Sequence, residues 1–431
     1  MYRKITDFLE QWKESEHRKP LILQGARQVG KTYSILEFGR THYDNVAYFN
    51  FETNSKLNET FEENISPGYL IPILSHIAGQ TIVKERTLIV FDEVQLCERA
   101  LTSLKYFCEE APDYHIIVAG SLLGVAVNRQ KFSFPVGKVD MKTLYPMDIE
   151  EFMLALGEND LVNQIKNSFQ TDKPLPTALH DYAMMLYRQY LVVGGMPECV
   201  LQYAETKDYI LVRHTQDTIL ASYLNDMSKY NNLNEIKKTR LAYDNITVQL
   251  SKKNTRFQYK LIKKGGRASE FENAIEWLNL SGIVSQVYRV EQIKKPLENY
   301  RDIDAFKIYV SDMGLLCAKK DVIANDILYM VEELNDFKGG MAENYVNVQL
   351  SINGYNTYYW QSDRGVEIDF VIQREGKLIP IEVKSADNTR AKSLKVYMDA
   401  FKPEYAIKLS SKNFGFEDNK KIVPLYAAFC I

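Results

Sequence analysis

Short runs of β-branched and aromatic residues alternate with helix-period stretches through the first 150 residues. The runs fall at 21–24, 46–51, 87–91 and 115–119, with a weaker one at 138–144. Strands alternating with helices need crossover connections, so the pattern predicts a mainly parallel α/β sheet. From about 150 to 230 the strand signal fades, and Leu, Met and Tyr recur at helical spacing, as over 182–193. Gly194-Gly195-Met196-Pro197 breaks that pattern and predicts a tight turn between two helices. Further on come a helical stretch at 270–280, Gly282 and an alternating run at 283–290; helix, turn, helix and strand is the order of a winged helix. From about 339 the pattern is mixed α/β again: a helix over 341–352, strands near 357–360, 366–373 and 378–384, and a helix from about 389 to 401. The expected organisation is therefore an α/β domain over 1–150, a helical segment over 151–235, a winged-helix-like module over 236–320 and a small α/β domain over 321–431.

Composition narrows the function classes. An aromatic content of 12% is too much apolar surface for a disordered chain. Apolar stretches such as 87–91 and 116–120 fall far short of the roughly 18 residues a membrane span needs, and residues 1–10 lack a signal-peptide core. With 53 Lys and Arg against 56 Asp and Glu the net charge is −3, which excludes a protein that coats nucleic acid with its whole surface but leaves room for a local basic patch. The five cysteines (Cys97, Cys108, Cys199, Cys317 and Cys430) are odd in number and scattered without C-x-x-C; they read as reduced thiols of a cytoplasmic protein, with neither zinc nor a disulfide framework.

The strongest chemistry follows the first strand. Leu21-Ile22-Leu23-Gln24 runs into Gly25-Ala26-Arg27-Gln28-Val29-Gly30-Lys31-Thr32, a full match to G-x-x-x-x-G-K-[ST] between a strand and a helical stretch. Gly25 and Gly30 let the backbone bend so that its N–H groups point at phosphate oxygens. Lys31 supplies a charge to the β- and γ-phosphates, and the Thr32 hydroxyl is a Mg²⁺ ligand. Leu88-Ile89-Val90-Phe91-Asp92-Glu93 is a buried strand ending in two acids. Asp92 is placed to hold the Mg²⁺ shell, and Glu93 is the base that polarises an attacking water. Ser121, after the run at 115–119, is a candidate sensor of the γ-phosphate, or simply a helix N-cap.

With Phe91-Asp92-Glu93-Val94-Gln95 and Ala119-Gly120-Ser121 added, the chain resembles the AAA-type ATPases of bacteria and archaea that carry a restriction-endonuclease-like C-terminal domain. Gly194–Pro197 and Lys307-Ile308-Tyr309-Val310-Ser311-Asp312-Met313-Gly314-Leu315-Leu316 are similar to that family's linking region, and the resemblance runs from about Arg3 to Phe401. It implies an additional-strand P-loop fold, with a strand between those of the P-loop and of Asp92, and ATP as the nucleotide. Relatives in rings make a homo-oligomer or a protein partner an expectation. Where the family carries Gly-Arg this chain has Gly137-Lys138, and a lysine cannot give an arginine's planar bidentate contact.

A second constellation lies near the C-terminus. Glu367-Ile368-Asp369-Phe370-Val371-Ile372 and Glu382-Val383-Lys384 flank Gly376 and read as a hairpin. Residues two apart in a strand share a face, so Glu382 and Lys384 point the same way. If Asp369 lies opposite them, two carboxylates and an ammonium converge, suited to Mg²⁺ or Mn²⁺ and to activating a water. This resembles the PD-(D/E)xK nuclease signature, with Ile368 in place of its proline. The resemblance implies Asp369, Glu382 and Lys384 as the catalytic set, Glu343 as a further metal ligand, and Ser385 and Lys392 as substrate-side groups.

Lys252, Lys253, Arg256, Lys260, Lys263, Lys264 and Arg267 fall in a stretch, 245–269, without an acidic residue. They suit a sequence-blind DNA phosphate track or a plain solvated face. The helix after them offers Glu270, Glu272 and Glu276, which repel a DNA backbone and argue against reading a specific operator. The expected function is an ATP-hydrolysing protein whose nucleotide state controls a metal-dependent DNA nuclease domain. The alternative is a nucleotide-gated interaction protein whose nuclease-like domain binds a partner or DNA and cuts nothing.

Overall fold

The computed structural model describes residues 1–121, 135–228, 233–250, 256–385 and 392–431. The chain divides into two compact units: Tyr2–Tyr145 with Leu280–Gly282, and Pro146–Asn279 with Ile283–Ile431. Among the described residues, no helix is long and apolar enough to cross a membrane.

The first unit is built on five parallel strands: β1 (Leu21–Gly25), β2 (Asn45–Asn50), β3 (Thr87–Asp92), β4 (His115–Ser121) and β5 (Asp140–Thr143). Their order is β2-β3-β4-β1-β5, so β4 lies between the P-loop strand and the strand of Asp92, as the resemblance implies. Central parallel strands are covered on both faces, which is why β1 and β3 read as unbroken apolar runs. The weak run at 138–144 becomes a four-residue edge strand whose central two residues are exposed. Around the sheet stand α1 (Ile5–Glu14), α2 (Lys31–His42), α3 (Ser55–Glu63), α4 (Pro67–Ala78) and α5 (Glu98–Glu110). Phe51, Phe61 and Phe91 pack edge to face at 5.5–5.8 Å at the centre of one core layer.

The second unit opens with α6 (Ile149–Ala155), α7 (Asn159–Thr171), α8 (Thr177–Val193), α9 (Pro197–Thr206) and α10 (Tyr209–Met227). The glycine cluster makes the expected turn between α8 and α9. A Cβ on Gly195 would lie 1.9 Å from the Met147 carbonyl oxygen, so only glycine fits that approach. Then follow α11 (Leu233–Leu250), α12 (Tyr259–Ile262) and α13 (Ala268–Leu280), and the hairpin of β6 (Val284–Val290) and β7 (Arg301–Val310). This is the helix, turn, helix and strand order expected over 236–320; Lys252 and Lys253 lie outside the described residues. Next come α14 (Met313–Lys319), α15 (Ala324–Leu328) and α16 (Asn335–Ile352). The remaining elements are β8 (Tyr358–Gln361), β9 (Glu367–Arg374), β10 (Lys377–Val383), α17 (Lys392–Phe401), β11 (Ala406–Ser410), β12 (Gly415–Glu417) and β13 (Lys420–Pro424).

One sheet of eight strands, ordered β12-β13-β11-β10-β9-β8-β6-β7, runs through this unit. Its strands come from both sides of the expected division between residues 320 and 321. β6 pairs with β8 in parallel, Tyr288 opposite Tyr358 and Val290 opposite Trp360, so the hairpin of β6 and β7 and the C-terminal strands form one sheet. Both hairpins expected or overlooked at the C-terminus turn on two residues. Glu375-Gly376 join β9 to β10, and Asp418-Asn419, both at positive φ, join β12 to β13.

Candidate functional site

β1 ends at Gly25, and α2 begins at Lys31 with Gly30 as its N-cap in left-handed backbone (φ 90°). Gln28 is left-handed as well (φ 64°), a conformation that costs a non-glycine residue energy and recurs where backbone N–H groups are aimed at a ligand. The loop is fixed from outside by Arg3, buried, whose guanidinium donates to the carbonyls of Val29 (3.0 Å) and Tyr145 (2.9 Å). Nothing in the local sequence singles out Arg3; only the folded loop shows its use.

Lys31 Nζ donates to the carbonyls of Gly25 (3.0 Å) and Ala26 (2.8 Å), which draws the ammonium across the loop. Burial lowers its pKa to about 8, against the pull of Glu93 and Asp92. Asp92, buried at the end of β3, is the hub of the remaining contacts. Its Oδ2 accepts from Thr32 Oγ1 (3.0 Å) and from the Tyr48 hydroxyl (2.7 Å), and its Oδ1 accepts from the Glu93 N–H (3.0 Å). Tyr48 is a contributor that the sequence pattern does not reveal, since it reads as an ordinary strand aromatic. Glu93 has left-handed backbone (φ 54°), and its Oε2 accepts from Gln95 Nε2. Gly25, Ala26, Arg27, Gln28, Val29, Gly30, Lys31, Thr32, Asp92 and Glu93 thus come together at the C-terminal edge of the sheet. Ser121 closes β4 opposite Gly25, and its side chain lies outside the described residues.

The second constellation also assembles. β9 and β10 pair with Ile381 opposite Phe370, and one step further along this register Asp369 faces Glu382 on the same side of the sheet. Asp369 Oδ2 accepts from the Val383 N–H (2.7 Å), and Glu382 Oε1 takes Lys384 Nζ at 2.5 Å. Glu382 is 3% exposed, and among the described residues its Oε2 is buried without a hydrogen-bond partner. Burial, with Glu343 and Glu382 close by, raises the Asp369 carboxyl well above the usual carboxylate range. Burial raises Glu382 too, offset in part by Lys384.

Glu343, expected as a further ligand, is engaged by other side chains. It reaches the cluster from α16, but its Oε2 is taken by Lys307 Nζ (3.2 Å) and the Tyr309 hydroxyl (3.1 Å). Lys307 also meets Glu367 Oε1 at 2.7 Å. Its ammonium stays charged in spite of burial because Glu343, Tyr309 and Glu367 surround it. As the side chains stand, no three His, Cys, Asp or Glu among the described residues form an open ligand set for a metal ion. Lysines pair with Glu343, Glu367 and Glu382 instead. A cavity of about 340 Å³ adjoins the cluster, lined in part by Lys307, Glu343, Glu367, Ser385, Arg256 and Phe257.

In the basic stretch Arg256, Lys260, Lys263, Lys264 and Arg267 are exposed. Lys263 pairs with Glu270 at 3.3 Å, and the exposed side of α13 carries Glu272 and Glu276.

A glycine-bent loop between a central parallel strand and a helix, facing an acid at the end of a neighbouring strand, defines a P-loop nucleotide-binding unit. Residues 17–153 match the family described as an AAA domain. The chain therefore carries an AAA-type P-loop ATPase domain, a class that uses ATP and typically Mg²⁺. Residues 184–326 match a domain of unknown function, DUF8612, and residues 338–428 another, DUF4143. No curated protein matches the chain. Among solved structures, the Aeropyrum pernix Orc1 protein in complex with DNA is 11% identical, covering 76% of this chain and 92% of its own, at a TM-score of 0.27. A mutant of Thermotoga maritima RuvB is 12% identical, covering 66% and 89%, at a TM-score of 0.29. At these scores neither neighbour bears on function.

Proposed function

We propose that the protein hydrolyses ATP in its AAA domain and cleaves DNA phosphodiester bonds at the Asp369 centre, with the nucleotide state controlling the second activity. In the AAA domain Lys31 leaves the carbonyls of Gly25 and Ala26 for the β- and γ-phosphates, which the N–H groups of the Gly25–Gly30 loop cradle. The hydroxyl of Thr32 and the carboxylate of Asp92 stand 3.0 Å apart and are the oxygen donors that would hold Mg²⁺. When bound, that ion neutralises charge on the phosphate oxygens. Glu93 takes a proton from the attacking water once Gln95 releases it, and Ser121 senses the γ-phosphate from the end of β4.

The nuclease half rests on one observation: Asp369, Glu382 and Lys384 share one end of a two-residue hairpin, and Glu382 keeps a buried oxygen without a donor among the described residues. A buried orphan acceptor costs free energy that a cation removes. Asp369 and Glu382 would hold Mg²⁺ or Mn²⁺, which supplies Lewis-acid activation of the scissile phosphate. Lys384 orients the water. The exposed cations between Arg256 and Arg267 provide a sequence-blind phosphate track, and the acidic side of α13 keeps base reading out.

The interaction-protein reading is favoured by a different observation, the closure of the carboxylates on lysines. The two part on cleavage of linear, circular and branched DNA with Mg²⁺ or Mn²⁺, with and without ATP. Products that vanish in Asp369→Ala establish the nuclease centre, and their dependence on Lys31 establishes control by ATP. Intact ATPase activity with every DNA substrate uncut supports the gated binding protein.

A further inference from the structure

Lys307 is a charged residue in the fully buried half of β7, where 305–310 are otherwise apolar or aromatic. A leucine or methionine would pack at such a position without the cost of desolvating an ammonium. The side chain instead lies between two carboxylates, 3.2 Å from Glu343 Oε2 and 2.7 Å from Glu367 Oε1, and over the Tyr359 ring at 5.2 Å. Tyr309, two residues along the same strand, donates to the same Glu343 oxygen at 3.1 Å. Glu343 is thus turned towards a resident cation, whereas Glu382, beside Asp369, keeps one buried oxygen without a donor among the described residues. Phosphodiesterase centres with two metal ions place them about 3.5–4 Å apart on shared carboxylates.

We propose that the Lys307 ammonium takes the second cation position of this centre, so that the protein builds a one-ion site from Asp369 and Glu382. This rests on the metal reading above and gives it a definite stoichiometry. Lys307 acts through Glu343 and Glu367 and is a positioning residue. The ammonium fixes both carboxylates at hydrogen-bonding distance, and its charge opposes a second divalent ion there.

The test is Mn²⁺ binding to the full chain without nucleotide, counted by electron paramagnetic resonance, with Asp369→Asn as the baseline. The expected result is about one ion per chain lost in Asp369→Asn, and about two in Lys307→Met, where Glu343 and Glu367 are released to a second ion. Near-ultraviolet circular dichroism checks that each variant is folded, and Lys307→Gln, which keeps a hydrogen-bond donor without the charge, replaces a Lys307→Met that does not fold. Two ions in the wild type, both lost in Asp369→Asn, overturn the proposal whatever the variants do. So does a folded, uncharged variant that still takes one ion. No ion in the wild type, or one that Asp369→Asn leaves in place, is a different failure: it removes the metal reading itself. A purely structural lysine would alter stability and leave the ion count where it was.

Discussion

Glu93 follows the acid that ends β3 and stands in left-handed backbone, with its carboxylate held by Gln95. Strain of this kind costs about 1–3 kcal/mol and persists where a side chain must be aimed. Glu93→Gln should slow ATP turnover by about 10²–10⁴-fold while leaving ATP binding intact, because it removes a base and no phosphate contact. Phosphate release and titration with a fluorescent ATP analogue measure the two quantities separately, and turnover near the wild-type rate would take Glu93 out of the mechanism. The whole loop from Gly25 to Thr32, with Asp92 and Glu93, is legible in the sequence because each residue type there answers to a local geometric need. Arg3, Tyr48 and Lys307 are not. Their partners lie far along the chain, at Tyr145, Asp92 and Glu343, and a sequence has no period that points across a sheet.

At the scale of elements, the turn between α8 and α9 packs against the start of α14. Asp312 Oδ2 accepts from the Gly195 N–H (2.6 Å) and its Oδ1 from the Leu315 N–H (2.8 Å), so one buried carboxylate ties two chain segments together. With Met147 O only 1.9 Å from the position of a Cβ, Gly195→Ala must displace backbone. It should cost about 1–3 kcal/mol or more in urea unfolding, and a variant as stable as the wild type would show that the turn gives way freely. Asp312 also predicts a pH dependence. Burial raises its carboxyl from 3.8 to about 6, against the backbone N–H bonds that favour ionisation. The native state therefore keeps a proton that the unfolded chain releases near pH 4. This contribution to stability is full below about pH 4, is lost as pH rises to about 6 and is level above, a span of about 3 kcal/mol. Unfolding of Asp312→Asn across that window should lack this fall; an identical profile in both proteins would remove Asp312 as its source. Hydrophobic spacing shows the helices and the glycine turn, but not what the turn rests on. β11 to β13 escaped the pattern for another reason: they are short, and β11 carries the buried polar residues Lys408 and Ser410.

For the molecule as a whole, a net charge of −3 leaves any DNA affinity to local cations. Lys260 and Lys264 are exposed in the basic stretch. If both contact phosphates, replacing them with alanine should flatten the dependence of log affinity on log salt by about 2, equally for every DNA sequence. Fluorescence anisotropy over a salt series reads this slope, and an unchanged value would leave the stretch a solvated face.

The pairing of β6 with β8 has a practical consequence. The matched families divide the chain between 326 and 338, and a fragment beginning at 321 looks like a natural piece to express. Such a fragment would strip Val290 and Leu297 from the cluster around Trp360 and Tyr397, and would leave β8 with a row of unpaired backbone groups. Raw edges of that kind recruit other strands. Light scattering should find the 321–431 fragment associating with itself, whereas 146–431, which retains all eight strands, should stay dispersed. What sequence families present as a module would then be six strands of an eight-stranded sheet, aggregation-prone at their cut edge.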